Sequence, residues 1–193
     1  MKLIMRIHNK QVSLSQLICL IIYYSCLQYL PKSSIPFIGK IARFLRYKCC
    51  THIFKFCGKS VNIERLAKFG SGIDLCIGDH SGLGINCVVP SNIIIGKDVM
   101  MGPNCYIFSS NHSFERCDIP MISQGHSVPK QTIIEEDVWI GRNVIFTPGR
   151  TIKNGSIIGA GCVLSKDFPE YCVIAGNPSR LIRNRSCINH SNL

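Results

Sequence analysis

From Ile134 to Leu164 an apolar residue recurs at every sixth position: Ile134, Ile140, Phe146, Ile152, Ile158 and Leu164. The position after the leader is Gly at Gly141 and Gly159, and the fifth places hold Val138, Val144, Arg150, Ser156, Cys162 and Phe168. A helical face repeats at about 3.6 residues and a strand alternates at about two, so neither alone gives this period. A six-residue apolar repeat with small residues at fixed offsets predicts a solenoid of short strands joined by turns. The same ruler fits upstream, at Ile77, Leu83, Val89, Ile95, Met101 and Ile107, with Gly78, Gly84, Gly96 and Gly102 as followers. Three hexads make one triangular turn, so Ile77 to Ile94 is one coil. Val61 to Asp74 starts the solenoid imperfectly, as terminal repeats often do. Ile107 and Ile134 are 27 apart, which is not a multiple of six, so a loop is inserted there. A loop of about 20 residues in a tight solenoid points to function.

Ahead of the repeat the pattern changes. Residues 12–30 are apolar but contain Ser13, Ser15, Gln16, Ser25 and Gln28. They lie near the lower limit of about 17 residues for a spanning helix. Their polar content argues against a span, and no small-x-small cleavage site follows them. Ile35 to Phe56 places Ile38, Ile41, Phe44 and Leu45 among Lys40, Arg43 and Lys48, which predicts an amphipathic helix with a basic face. Three parts follow: residues 1–57 as a basic, apolar helical segment, 58–185 as the β-solenoid with an inserted loop at 112–131, and 186–193 as a tail. The first part is expected to cap the open end of the solenoid, to contact a membrane surface, or both.

Charge sharpens this division. The chain of 193 residues carries a formal +11, yet residues 1–60 hold 10 of its 22 Lys and Arg and no Asp or Glu. The other 12 bases face all 11 acids, so the repeat itself is nearly neutral. This argues against nucleic acid as the reason for the high pI and favours an anionic membrane surface near the N-terminus. Twelve Cys form no C-x-x-C, and Cys87, Cys105 and Cys162 fall at fifth hexad places. They are expected to pack inside the coil as reduced thiols in a cytoplasmic protein.

The hexads, with MGPN (Met101 to Asn104), the His112 loop, DVWIG (Asp137 to Gly141), Pro148-Gly149, IIGAGCVLSKD (Ile157 to Asp167) and AGNPSRLIR (Ala175 to Arg183), resemble the hexapeptide-repeat acyltransferases. The resemblance covers about residues 61–185 and is closer to the branch that holds maltose and galactoside O-acetyltransferases and the acetyltransferases of capsule, exopolysaccharide and lipopolysaccharide synthesis. It implies an all-β solenoid, a left-handed parallel β-helix. It implies acetyl-CoA as co-substrate, no metal, and a homotrimer with sites between subunits. The acceptor it implies is a sugar or polysaccharide precursor, at the inner face of the cytoplasmic membrane.

The chemistry such a reaction needs is present. A hydroxyl needs a base near neutral pH, which histidine supplies with an unperturbed pKa of about 6.5. The oxyanion needs a donor, such as a backbone N–H. Of His8, His52, His80, His112, His126 and His190, only His112 and His126 lie in the inserted loop. By resemblance His112 takes the place of the catalytic base. Here Ser113 and Phe114 follow it, whereas maltose-type relatives carry His-Pro. Asn86, Asn111 and His126 are candidates for the acceptor side, Asn86 being equally readable as a corner residue in a turn. By the same resemblance Trp139, Gly141, Gly159 and Ala160 would lie along the thioester arm, Gly141 offering its N–H. Lys166, Arg180 and Arg183 would meet the coenzyme phosphates. The alternatives are a serine O-acetyltransferase, an N-acyltransferase of an amino sugar, and a non-catalytic trimeric scaffold.

Overall fold

The computed structural model describes residues 4–7 and 10–185. The chain forms a parallel β-solenoid of about six turns behind a short helical segment. All twelve hexad leaders point inward and are buried. On the first face, strands at Phe56–Cys57, Cys76–Ile77, Ile94–Ile95, Ile133–Ile134 and Thr151–Ile152 stack in parallel. The second face runs from Met100–Met101 through Trp139–Ile140 and Ile157–Ile158 to Cys172–Ala175, and an antiparallel strand, Arg180–Asn184, ends it. The third stacks Tyr106–Ile107, Ile145–Phe146 and Val163–Leu164. Register is direct: Ile77 lies opposite Ile95, and Ile95 opposite Ile134 across the insertion.

Many corners use the fourth hexad place in a left-handed conformation. His80, Asn86, Asp98, Asn104, Asp137 and Asn143 have φ between 53° and 59°. Asn and Asp tolerate this region because their short polar side chains bond locally. Stacked corners then bond to one another: Asn86 Nδ2 donates to Asn104 Oδ1 at 3.1 Å, and Asn104 Nδ2 to Asn143 Oδ1 at 3.2 Å. The follower glycines have a separate cause, close approach of the coils. A Cβ on Gly84 would sit 2.2 Å from the Gly102 carbonyl oxygen, and one on Gly141 would sit 2.6 Å from the Ala160 nitrogen.

The N-terminal segment opens with an antiparallel strand pair, β1 (Ile4–Ile7) and β2 (Lys10–Ser13), which the helical expectation did not contain. Helix α1 (Leu14–Ser25) starts at a capping box: the Gln16 N–H donates to Ser13 Oγ at 3.1 Å, and the Ser13 N–H donates to Gln16 Oε1 at 3.0 Å. Helix α2 (Ile38–Ile53) runs antiparallel to it, as the Gln16 Nε2 to Ile53 carbonyl and Cys49 Sγ to Cys19 carbonyl bonds show. Together they cover the open end of the first coil. Tyr23 is buried and donates its hydroxyl to the Ala67 carbonyl at 2.8 Å, and its ring lies 4.6 Å from that of Phe69.

Helix α2 carries its basic residues Lys40, Arg43 and Lys48 on the exposed side. Its buried face is Gly39, Ala42, Arg46, Cys49, Cys50 and Ile53, while Ile38, Ile41, Phe44 and Leu45 are exposed. At Gly39 the helix lies close to the chain below: a Cβ there would sit 2.6 Å from the Lys32 carbonyl oxygen. The fully buried Arg46 donates to the carbonyls of Ile63 at 2.5 Å and Pro31 at 3.0 Å, with Glu64 3.8 Å away. Cys87, Cys105 and Cys162 are buried inside the coil, and the described cysteines are free thiols. Among the described residues, no helix is long and apolar enough to cross a membrane. His8, His190 and the tail at 186–193 lie outside the described residues.

Candidate active site

The insertion leaves the corner between the third and first faces and returns to it as a hydrogen-bonded arm. His112 and His126 form an antiparallel bridge at its centre. On either side the Ser127 N–H donates to the Asn111 carbonyl at 2.8 Å and the Ser113 N–H to the Gly125 carbonyl at 3.0 Å. Asn111 also donates its own N–H to Ser127 Oγ at 3.0 Å. The base is closed by Lys130 N–H on the Ser109 carbonyl at 2.7 Å. Farther out, the Gln124 side chain ties the tip together by donating to the Arg116 carbonyl at 2.8 Å and the Ile119 carbonyl at 3.2 Å.

Across the bridge the two imidazoles stack, with ring centroids 4.2 Å apart and planes 36° from parallel. His112 and Asn111 line a cleft of about 340 Å³ together with Lys130, Thr147, Pro148 and Arg150. Arg150 is held there by Asp167 at 3.4 Å and by donating to the Ser165 carbonyl at 3.1 Å. An exposed imidazole at the edge of this cleft can take a proton from a bound hydroxyl. Lys130 and Arg150 can meet negative charge on an acceptor or intermediate, with Glu115 the one acid among the lining residues. A larger hollow of about 710 Å³ lies beside the arm's base, between Leu20, Asn92, Ser109 and Pro129. Lys130, Thr147, Pro148 and Arg150 were not among the sequence candidates. The register held the signal: Phe146 lies opposite Ile107, so the corner after one stacks on the corner after the other.

The remaining candidates lie elsewhere in the chain. Trp139 is about half exposed (52%) on the second face, between Met100 and Ile157. Arg180 and Arg183 are exposed on the last strand of that same sheet, opposite Ala175 and Val173. Lys166 sits 5.4 Å over the Phe168 ring. Gly141 departs from expectation, because its N–H already donates to the Ile158 carbonyl at 2.7 Å. Gly159 likewise donates to the Ile174 carbonyl at 2.7 Å. Ladder formation takes these groups, so neither N–H is available as the oxyanion donor. Ala160 is exposed at the adjoining corner. Asn86 belongs to the corner ladder and does not line the His112 cleft. One chain therefore gathers His112, Asn111 and His126 at one edge, and places Trp139, Arg180 and Arg183 on another face. His80 pairs with Asp98 at 3.1 Å on a third edge. Among the described residues, no group of three His, Cys, Asp or Glu side chains is placed to hold a metal ion.

The pattern described as "Bacterial transferase hexapeptide (six repeats)" matches residues 131–166, and "Hexapeptide repeat of succinyl-transferase" matches 75–109. A Schizosaccharomyces pombe protein bearing an acetyltransferase name is 33% identical over 141 residues, 72% of this chain and 67% of that one. The galactoside O-acetyltransferase of Lactococcus lactis is 34% identical over 128 residues, 66% of this chain and 55% of the relative. The crystal structure of a Vibrio cholerae hexapeptide-repeat acetyltransferase complexed with acetyl coenzyme A superposes with a TM-score of 0.67 at 25% identity, covering 89% of this chain and 85% of that one. The chain belongs to the hexapeptide-repeat acetyltransferase family. It spans between about half and two thirds of the length of these curated relatives.

Proposed function

We propose that this protein moves an acetyl group from acetyl-CoA to a hydroxyl of a sugar or glycan precursor on the cytoplasmic side, with His112 as general base and no covalent intermediate. The observation that carries this reading is the exposed His112 imidazole on a braced arm at the rim of a cleft lined by Asn111, Lys130 and Arg150. His112 takes the acceptor hydroxyl proton, and the oxygen attacks the thioester carbonyl. The carbon–sulfur bond breaks, and the imidazolium returns its proton to the coenzyme A thiolate. The sugar named for the Lactococcus relative and the acetyl coenzyme A in the Vibrio complex support the acceptor and donor. Coenzyme A thiol release is the test, with sugars, lipid-linked glycans, amino sugars and serine as acceptors. Release that depends on a sugar hydroxyl is expected. Release with serine or an amino sugar alone would replace this reading with the corresponding alternative.

The separation of the His112 edge from the Trp139 face supports a homotrimer, in which one subunit's arm reaches its neighbour's second face. Light scattering on the eluting protein is expected to give close to three times the 21.5 kDa of one chain. A monomer with full activity would remove this part of the proposal.

A further inference from the structure

The two N-terminal helices leave apolar stripes open. On α1 these are Leu14, Ile18, Ile21 and Ile22, spaced four, three and one apart along one side. On α2 they are Ile38, Ile41, Phe44 and Leu45, interleaved with the exposed Lys40, Arg43 and Lys48. Phe37, just before α2, is 84% exposed. Its backbone is at φ 57° and ψ −71°, and the Ile38 N–H closes a three-residue turn on the Pro36 carbonyl at 2.7 Å. That turn is strained for a residue with a side chain, and it holds an aromatic ring away from the protein. Lys48 Nζ stands 5.8 Å over the Phe44 ring.

We infer that this surface docks in the plane of an anionic lipid bilayer, with Phe37, Ile38, Ile41 and Phe44 at the level of the headgroups and below. Three observations select lipid. The apolar side chains lie on helices rather than in a groove shaped for a peptide, and Lys40 and Arg43 flank the α2 stripe, as basic residues flank the apolar face of an interfacial helix. Charge is one-sided, since no acid occurs in residues 1–60, so an anionic surface meets no repulsion. A second copy of the chain pressed face to face would set these cations against each other. Capping and docking then use opposite sides of one helix: Cys49, Cys50 and Ile53 pack into the core, and Ile38, Ile41, Phe44 and Leu45 face outward. The inference rests on the N-terminal helices alone and is independent of the role given to His112.

Flotation of the full chain with vesicles tests it, using phosphatidylcholine alone and phosphatidylcholine mixed with phosphatidylglycerol. Wild type is expected to float with the mixed vesicles and to float less in high salt. Phe37→Asn/Ile41→Ser/Phe44→Ser is expected to lose at least about tenfold in partitioning, since it withdraws three apolar side chains. Lys40→Gln/Lys48→Gln is expected to lose about 25-fold, at about fivefold for each cation. Both variants should keep acetyl transfer to a water-soluble acceptor, which separates failure here from failure of the proposed reaction. Wild type that floats with neither mixture would overturn the inference. So would a triple variant that binds like wild type, or one whose only change is the loss of a lipid-free higher oligomer.

Discussion

His112→Ala is expected to lower kcat/KM for acetyl transfer by roughly 10²–10⁴-fold, the range for removing a general base. The arm should survive the change, because its bridge is made by backbone groups of Asn111, Ser113, Gly125 and Ser127. Binding of coenzyme A should change little, since none of the donor-side candidates belongs to the arm. His126→Ala removes the stacked partner ring but leaves the His112 base in place, so a loss within about tenfold is expected, short of that for removing a base. Thiol release under initial-rate conditions reads both. If His126→Ala abolishes transfer and His112→Ala leaves it intact, the two imidazoles exchange roles.

Glu64→Ala is expected to destabilise the fold by about 3 kcal/mol, near the low end for breaking a buried ion pair. The change strands Arg46, whose side chain has no exposed surface and which burial pushes below its ordinary value despite the opposing pull of Glu64. For a chain of this size the melting temperature should fall by roughly 6–12 °C. Burial alone would raise the Glu64 carboxyl, but hydrogen bonds from Ser33, Asn62 and the Arg65 N–H outweigh it and hold the group below its usual 4.5. A carboxyl depressed in the folded state stabilises the protein above its unfolded value, and that stability is lost as pH falls through the folded one. Wild type should therefore lose stability on acidification below about pH 4.5, and a Glu64→Gln variant should lose less. Thermal melts at neutral and acid pH check both. Equal acid sensitivity in the two would assign the effect to other carboxylates.

Much of this architecture was legible because a solenoid writes its geometry into spacing. All twelve leaders are buried, and the break between Ile107 and Ile134 marks the arm. The corner rule was equally present, as His80, Asn86, Asp98, Asn104, Asp137 and Asn143 sit three places after their leaders. Other features depend on distances that spacing does not carry. Which side of α2 faces inward depends on such distances: Gly39 fits against the Lys32 carbonyl, and Arg46 reaches the carbonyls of Pro31 and Ile63. The N–H of Gly141 was a reasonable oxyanion donor by position, but the next coil takes it. Lys130 and Arg150 are 20 residues apart and meet only because the arm folds back over a stacked corner.

The arm leaves and re-enters at one corner, so Ile95 still faces Ile134 as Ile77 faces Ile95. Its bracing bonds are largely its own. The ladder that carries the fold and the arm that carries His112 are thus separate tenants of the chain. A change of length near Arg116 to Gln124 would remodel the arm's tip while the coils keep their register, a division of labour set by where a single insertion falls.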